Sequence, residues 1–297
     1  MRRERTVIAM RARLSILLLL SLALGCTKTS NTSASSSGDA VAAVDTAASA
    51  LTPDSKAAAR ATWDAMNAAS NAFEPSAYDH YAPKAVLKVK RHAANGNVTE
   101  RGFAVSMFLP LVDQLMESAK LLNDQATYEN VTMEPDGERW KISASRYSTV
   151  KCATDPDYYA LLGKADDGRW LIDEEFATVM AVSNCAPNPD EARRVLGELK
   201  AQLDPQLPLT LDDETRLDTV VVDDLTLVTT ATLTNTSSTY GEMDEFLAEM
   251  RKVAMKQGCG LPSSKYVLHH GGTVRYVYMT NDDKVALDMA LTSKECQ

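Results

Sequence analysis

The chain has 297 residues, 45% of them hydrophobic, with 31 Lys and Arg against 40 Asp and Glu and a net charge of −9. That length exceeds one average domain, and that apolar content supplies a real core. The acidic balance repels phosphate backbones and anionic membrane surfaces, which excludes nucleic acid as a partner and favours basic protein surfaces.

Arg2, Arg3, Arg5, Arg11 and Arg13 form a basic lead, and the 11 residues Leu14–Leu24 are almost wholly apolar. A charged start, a short apolar run and small residues at a cleavage point predict a secretory signal peptide over residues 1–25. A helix that spans a bilayer needs about 20 apolar residues. The stretch Ala23-Leu24-Gly25-Cys26 resembles the lipobox of bacterial lipoproteins. It departs from that pattern at Ala23, where a branched apolar residue is usual, and at Leu24, where a small one is. The resemblance implies that Cys26 is lipidated and becomes the mature N-terminus, tying the protein to a membrane. Thr27 follows rather than aspartate, which implies the periplasmic side of the outer membrane in a diderm bacterium. Cleavage takes five arginines from the 31 basic residues and Glu4 from the 40 acidic ones, which leaves 26 against 39 and a net charge of −13.

Residues 26–54 are rich in Ser, Thr and Ala and hold few large apolar groups. Such composition cannot bury enough surface to offset ordering entropy, so a flexible tether is expected. A helix begins at Ser55, with Ala57, Ala61, Trp63, Met66 and Ala69 at helical spacing. A second short helix is expected over Ser76–Tyr81, stopped near Pro83, and then a strand over Ala85–Val89. Asn95-Gly96-Asn97 signals a turn. Thr99 is placed to cap a helix carrying Phe103, Met107, Leu111 and Leu115, kinked at Pro110.

After Asp124 the texture changes to β-branched and aromatic residues. Strands are expected over Tyr128–Met133, Trp140–Cys152, Tyr158–Lys164 and Trp170–Val182, with hairpin turns at Pro135-Asp136-Gly137 and Asp166-Asp167-Gly168. Helices followed by an antiparallel meander make an α+β domain over residues 55–186. The run Tyr78-Asp79-His80-Tyr81-Ala82-Pro83 and the closing hairpin Ala165-Asp166-Asp167-Gly168-Arg169-Trp170-Leu171-Ile172-Asp173 resemble the NTF2-like (SnoaL-like) fold. That family wraps a curved antiparallel sheet over helices into a cone. In its enzymes an Asp or His inside the cone acts as acid or base, which makes Asp79 and His80 the candidate pocket residues. The bland alternative, His80 packed on its helix and bonded locally, carries more weight.

Pro187 and Pro189 mark a junction, and a second α+β domain is expected over residues 190–297. Its helix carries Ala192, Val195, Leu196, Leu199 and Leu203 on one face. Strands follow over Leu207–Leu211, Thr215–Val222 and Leu225–Thr234. An amphipathic helix over Met243–Lys256 points Phe246, Leu247, Met250, Val253 and Ala254 inward, with Gly258 as its cap. Strands over Thr273–Thr280 and Lys284–Leu291 complete the chain. The run Leu207-Pro208-Leu209-Thr210-Leu211-Asp212-Asp213-Glu214-Thr215-Arg216-Leu217-Asp218, with Cys259 and Cys296, resembles an uncharacterised domain of small exported bacterial proteins. That family implies no activity.

With Cys26 set aside, Cys152, Cys185, Cys259 and Cys296 form an even set in an oxidising compartment and read as disulfides. Four cysteines allow three pairings. The domain division favours Cys152–Cys185 and Cys259–Cys296, each worth roughly 2–4 kcal/mol. Their spacing lacks the form of a zinc site. The chain has no Gly-x-Ser-x-Gly elbow, His-Glu-x-x-His motif, phosphate loop or Rossmann glycine run. No catalytic residue, metal or cofactor is therefore expected. His269 and His270, adjacent in an extended segment, would face opposite ways and chelate one metal poorly. Asp212-Asp213-Glu214 and Asp282-Asp283 lack calcium-loop spacing. The expectation is a lipid-anchored periplasmic protein that binds another protein, in a concrete form an immunity-type lipoprotein neutralising an antibacterial effector. The alternative is a small-ligand-binding or enzymatic cone.

Overall fold

The computed structural model describes residues 51–234 and 243–296, in two compact units. The signal peptide, Cys26 and most of the tether lie outside the described residues, as does the side chain of Phe246. The first unit comprises residues 51–116 and 125–182, and the second 117–124 with everything described from Ser183 onward. The break falls at Ser183, a few residues before the proline junction. The second unit also claims Glu117–Asp124, where Arg194 Nη1 donates to the Leu121 carbonyl at 3.0 Å.

In the first unit, α1 spans Pro53–Asn71. Thr52 caps it in a reciprocal capping box with Ser55, and Pro53 occupies the first turn, where its missing N–H costs nothing. The helix thus starts inside the expected tether, and Leu51 already packs on the core. A 3-10 turn, Pro75–His80, leads into β1, Tyr81–His92. The strand runs through Pro83, which the sequence reading took as a stop. The largest departure is the next element. Residues expected to start a helix form β2, Val98–Ala104, and the helix, α2, starts only at Val112 and ends at Leu122. The cause is the Asn95-Gly96 turn, with Gly96 at φ 83, which folds the chain back and gives β2 a strand to pair with. Pro110 sits in a 3-10 turn ahead of the helix.

The meander follows as β3 (Ala126–Asp136), β4 (Arg139–Ser148), β5 (Ala153–Lys164) and β6 (Trp170–Met180). Gly137 and Gly168 take φ 62 and 85 at its turns, as the hairpin signals require. The six-stranded sheet has the order β2-β1-β6-β5-β4-β3, antiparallel except where β1 meets β6. α1 lies on one face. Ala59, Trp63 and Met66 pack there against Trp140, Ile142, Ala144, Tyr158, Ala160, Leu162, Trp170 and Ile172. At about 25 cal/mol per Å² such ring burial is the main favourable term of this unit.

In the second unit, α3 (Pro189–Leu203) buries Ala192, Val195, Leu196, Leu199 and Leu203, the five expected positions. The sheet order is β11-β10-β9-β8-β7, built from β7 (Leu209–Asp212), β8 (Thr215–Asp223), β9 (Thr226–Leu233), β10 (Thr273–Met279) and β11 (Val285–Leu291). α4 (Met243–Gly258) buries Met250 and Ala254 against it. Gly258 closes α4, but its reason is space: a Cβ there would collide with Leu291 Cδ1 and crowd Tyr276 Oη. A further helix absent from the sequence reading, α5 (Pro262–His269), ends at His269, which was expected in an extended segment. Cys259 and Cys296 form a disulfide, and Cys152 and Cys185 are both half-cystines. The fold class is α+β, as expected.

Candidate functional site

The polar groups of the first unit converge beside α1. Trp63 Nε1 donates to Tyr158 Oη at 3.1 Å. Tyr128 packs edge-on against Trp63 and tilted against Tyr158, both at 5.0 Å between ring centres. Tyr81 Oη donates to Glu175 Oε2, and the Tyr78 ring lies 5.9 Å from Tyr81. Glu175 is 9% exposed, so the cluster is a carboxyl group enclosed by phenols.

A bulge places Glu175 there. Trp170 and Ile172 face α1, so strict alternation would turn Glu174 inward and Glu175 outward. The β5–β6 register instead slips, with Leu162 opposite Ile172 and Leu161 opposite Glu174, leaving Asp173 as the extra residue. Glu175 thereby turns inward. Glu174 turns outward, where it accepts from Tyr159 Oη at 2.7 Å and pairs with Lys88 Nζ at 2.8 Å. Sequence reasoning missed Glu175 for this reason. One signal was present: Gly163 within a strand pattern, where a Cβ would collide with the Asp173 carboxyl.

Burial first, and then Glu175, raises the pKa of Tyr78, Tyr81 and Tyr158. Burial also pushes Tyr128 up to about 12, against the opposing pull of Arg146. All four phenols therefore stay protonated at neutral pH, and Tyr81 donates to Glu175. A phenol beside a carboxyl is chemically able to shuttle a proton. Here, however, the Tyr81 proton is committed to Glu175, and the rings around the pair pack on one another.

Asp79 and His80 end the 3-10 turn. Asp79 is exposed and His80 half-buried, and neither belongs to the packed cluster. Their neighbours Tyr78 and Tyr81 reach it instead. In the second unit His269 is the last residue of α5 and His270 its cap, not parts of an extended segment. His269 Nε2 bonds the Cys185 carbonyl at 2.8 Å, and His270 Nδ1 accepts from the Asn188 N–H at 2.9 Å. The His270 imidazole, 3% exposed, packs on Tyr266. Burial first, and then His269, lowers its pKa. Both histidines thus serve the backbone of residues 185–188. Asp212 accepts from the Glu214 N–H at 2.8 Å, as a turn residue does. Among the described residues no three His, Cys, Asp or Glu side chains gather in a way that could hold a metal.

No protein-family model matches the sequence, and no curated protein does. Similar solved structures include an NTF2-like protein of unknown function from Pseudomonas putida, at 11% identity, covering 43% of this chain and 87% of that one, with a TM-score of 0.32. A protein of unknown function with a cystatin-like fold from Methylobium petroleophilum matches at 12% identity, 41% of this chain and 74% of that one, TM-score 0.30. The pilotin of the Vibrio vulnificus type 2 secretion system matches at 14% identity, 37% of this chain and 94% of that one, TM-score 0.32. At these values the likeness carries no functional argument.

Proposed function

We propose that this chain is an exported, lipid-anchored module that binds another protein of the cell envelope and does not turn over a small substrate. One observation carries the reading: the face of the sheet that would line a cone is filled by its own rings. Trp63, Trp140, Tyr158 and Trp170 are 3%, 6%, 1% and 7% exposed. The inner acid, Glu175, is engaged by Tyr81, while the expected acid–base candidate Asp79 lies at the surface. A filled core stabilises a scaffold, and a scaffold presents surfaces. The signal peptide and the lipobox-like Cys26 support the envelope location. In its concrete form the module is an immunity-type lipoprotein that neutralises an incoming effector by stoichiometric capture.

The test is capture from native envelope extracts by the mature chain with Cys26→Ser, alongside complementation by an Asp79→Ala/His80→Ala double variant. A stoichiometric protein partner and a functional double variant are expected. Loss of function in a well-folded double variant, together with turnover of any small substrate by the wild type, would overturn the reading.

A further inference from the structure

The two edges of the six-stranded sheet differ. β3 is blunted: its register slips between Glu129 and Thr132, Asn130 takes φ 54, and Pro135 lies within the strand. Bulges and prolines are common devices against edge-to-edge pairing. β2 has neither. Its register with β1 runs unbroken from Val86↔Ala104 to His92↔Val98, and among the described residues β1 is its only neighbour in the sheet. All of β2 is exposed except half-buried Phe103. Among the described residues nothing pairs with its outer backbone N–H and C=O groups, which form a template for a further strand.

The charge of this hairpin opposes that of the whole chain. Between Tyr81 and Ala104 stand Lys84, Lys88, Lys90, Arg91 and Arg101 against Glu100 alone, in a chain of net charge −9. Lys88 and Lys90 face Glu174 and Asp157. Lys84, Arg91 and Arg101 are exposed and make no ion pair among the described residues. The register puts Arg91 across from Thr99, Val89 from Arg101 and Leu87 from Phe103, so Arg91, Arg101 and Phe103 share one face. Apolar surface continues beyond the strand, with Met107 at 64% and Leu109 at 54% exposure.

A second copy is a poor occupant. Two-fold antiparallel pairing of β2 with itself keeps each face continuous, so it must centre on a residue. Centring on Arg101, the one register that pairs the whole strand, sets Arg101 against Arg101, and centring on Glu100 sets Glu100 against Glu100, both destabilising, while every other centre leaves part of the 7-residue strand unpaired. An anionic lipid surface offers charge but cannot satisfy a row of directional backbone groups. We propose that β2 is the docking edge for an extended strand of the partner protein, acidic opposite Thr99 and Arg101 and apolar opposite Phe103. Backbone bonds to β2 give affinity and the alternating side chains give specificity. The assignment rests on the protein-binding reading above.

The test uses the mature chain with Cys26→Ser and two short synthetic peptides, one alternating Glu and Val, the other Lys and Val. The Glu/Val peptide is expected to slow amide exchange over Val98–Ala104 and to bind about tenfold tighter than its Lys counterpart. Arg91→Glu/Arg101→Glu should reverse that order, and the milder Arg101→Gln should shrink the difference without reversing it. Protection elsewhere, or a preference untouched by both variants, overturns the assignment. So does binding of wild type but not the reversed variant to phosphatidylglycerol vesicles when neither peptide binds, which would mark a lipid surface. An envelope partner captured equally by the reversed variant sinks the edge and leaves protein binding standing. A wild type that captures nothing sinks both.

Discussion

Replacing Glu175 by Gln, alone and together with Tyr81→Phe, separates a filled core from a working acid–base site. Tyr81 Oη donates to Glu175 Oε2, and Glu175 is 9% exposed. A hydrogen bond to a charged partner contributes about 1.5–3 kcal/mol net. Gln keeps an acceptor in place, so Glu175→Gln should cost only about 1 kcal/mol. Glu175→Leu leaves the Tyr81 hydroxyl with only the weak Met66 Sδ acceptor at 3.9 Å, which costs about 1–3 kcal/mol beyond that. The two residues touch, so their effects should not add, and the cycle should show a coupling of about 1 kcal/mol or more. Urea melts followed by tryptophan fluorescence suit the assay, because the chain has 3 tryptophans and all of them lie in this core. A folded Glu175→Gln protein should keep cellular function. If it keeps its melt and loses function, the carboxyl does chemistry and the filled-core argument fails.

Cys259→Ser with Cys296→Ser removes a bridge spanning a sequence separation of 37, and chain entropy puts its contribution near 4 kcal/mol. Calorimetry should show the transition of the second unit lowered, and an unmoved transition would contradict the entropic account. Non-reducing peptide mapping should join Cys152 to Cys185; a different partner for Cys152 refutes that pairing. His270 is buried and accepts from Asn188 N–H, a bond that needs a neutral ring, and burial holds its pKa below the ordinary 6.5. The unfolded chain therefore binds a proton first as pH falls. The stability it contributes is present above about pH 6.5 and declines below that, towards its lowered value. Glu191, Arg194, His269 and Tyr266 surround the ring, and His270→Gln should flatten the acid limb of urea midpoints measured against pH. Cys26→Ala should release the protein into the soluble periplasm or stall its processing; tight membrane retention would refute the lipid anchor.

Most helices and strands were legible because their burial follows one period. α3 buries the five positions at helical spacing, and the β3–β4 and β5–β6 turns carry Gly137 and Gly168 at positive φ. The misses have separate physical causes. Thr99, Phe103 and, just beyond the strand, Met107 stand at helical spacing, so a local pattern argued for helix. Pairing with β1, available only after the chain reverses at Gly96, decided for strand. α5 is short, and its signal was a proline at the first turn rather than a long apolar stripe. Glu175 was hidden by a single inserted residue, since a bulge inverts every later side chain and leaves composition unchanged. Asp79 was singled out for its residue type. Its neighbours Tyr78 and Tyr81 reach the core, and no periodicity distinguishes them.

Net charge and local charge make opposite demands on a partner, and kinetics can separate them. The whole chain is acidic, so a partner of basic overall charge is drawn in from beyond contact distance. The β2 edge is basic, so the segment that pairs with it is acidic. Long-range steering acts on the association rate, and close contacts act mainly on dissociation. Arg91→Glu with Arg101→Glu makes the chain four units more negative while destroying the local match. A basic envelope partner should then associate faster with this variant at low salt and yet dissociate faster too. Raising ionic strength past a Debye length of about 8 Å should erase the gain in association and leave the loss in dissociation. Stopped-flow rates for wild type and variant at two salt concentrations measure both. An unchanged dissociation rate would place the contact away from β2. A slower association would mean that the partner is acidic overall, and that steering by the whole chain opposes docking instead of aiding it.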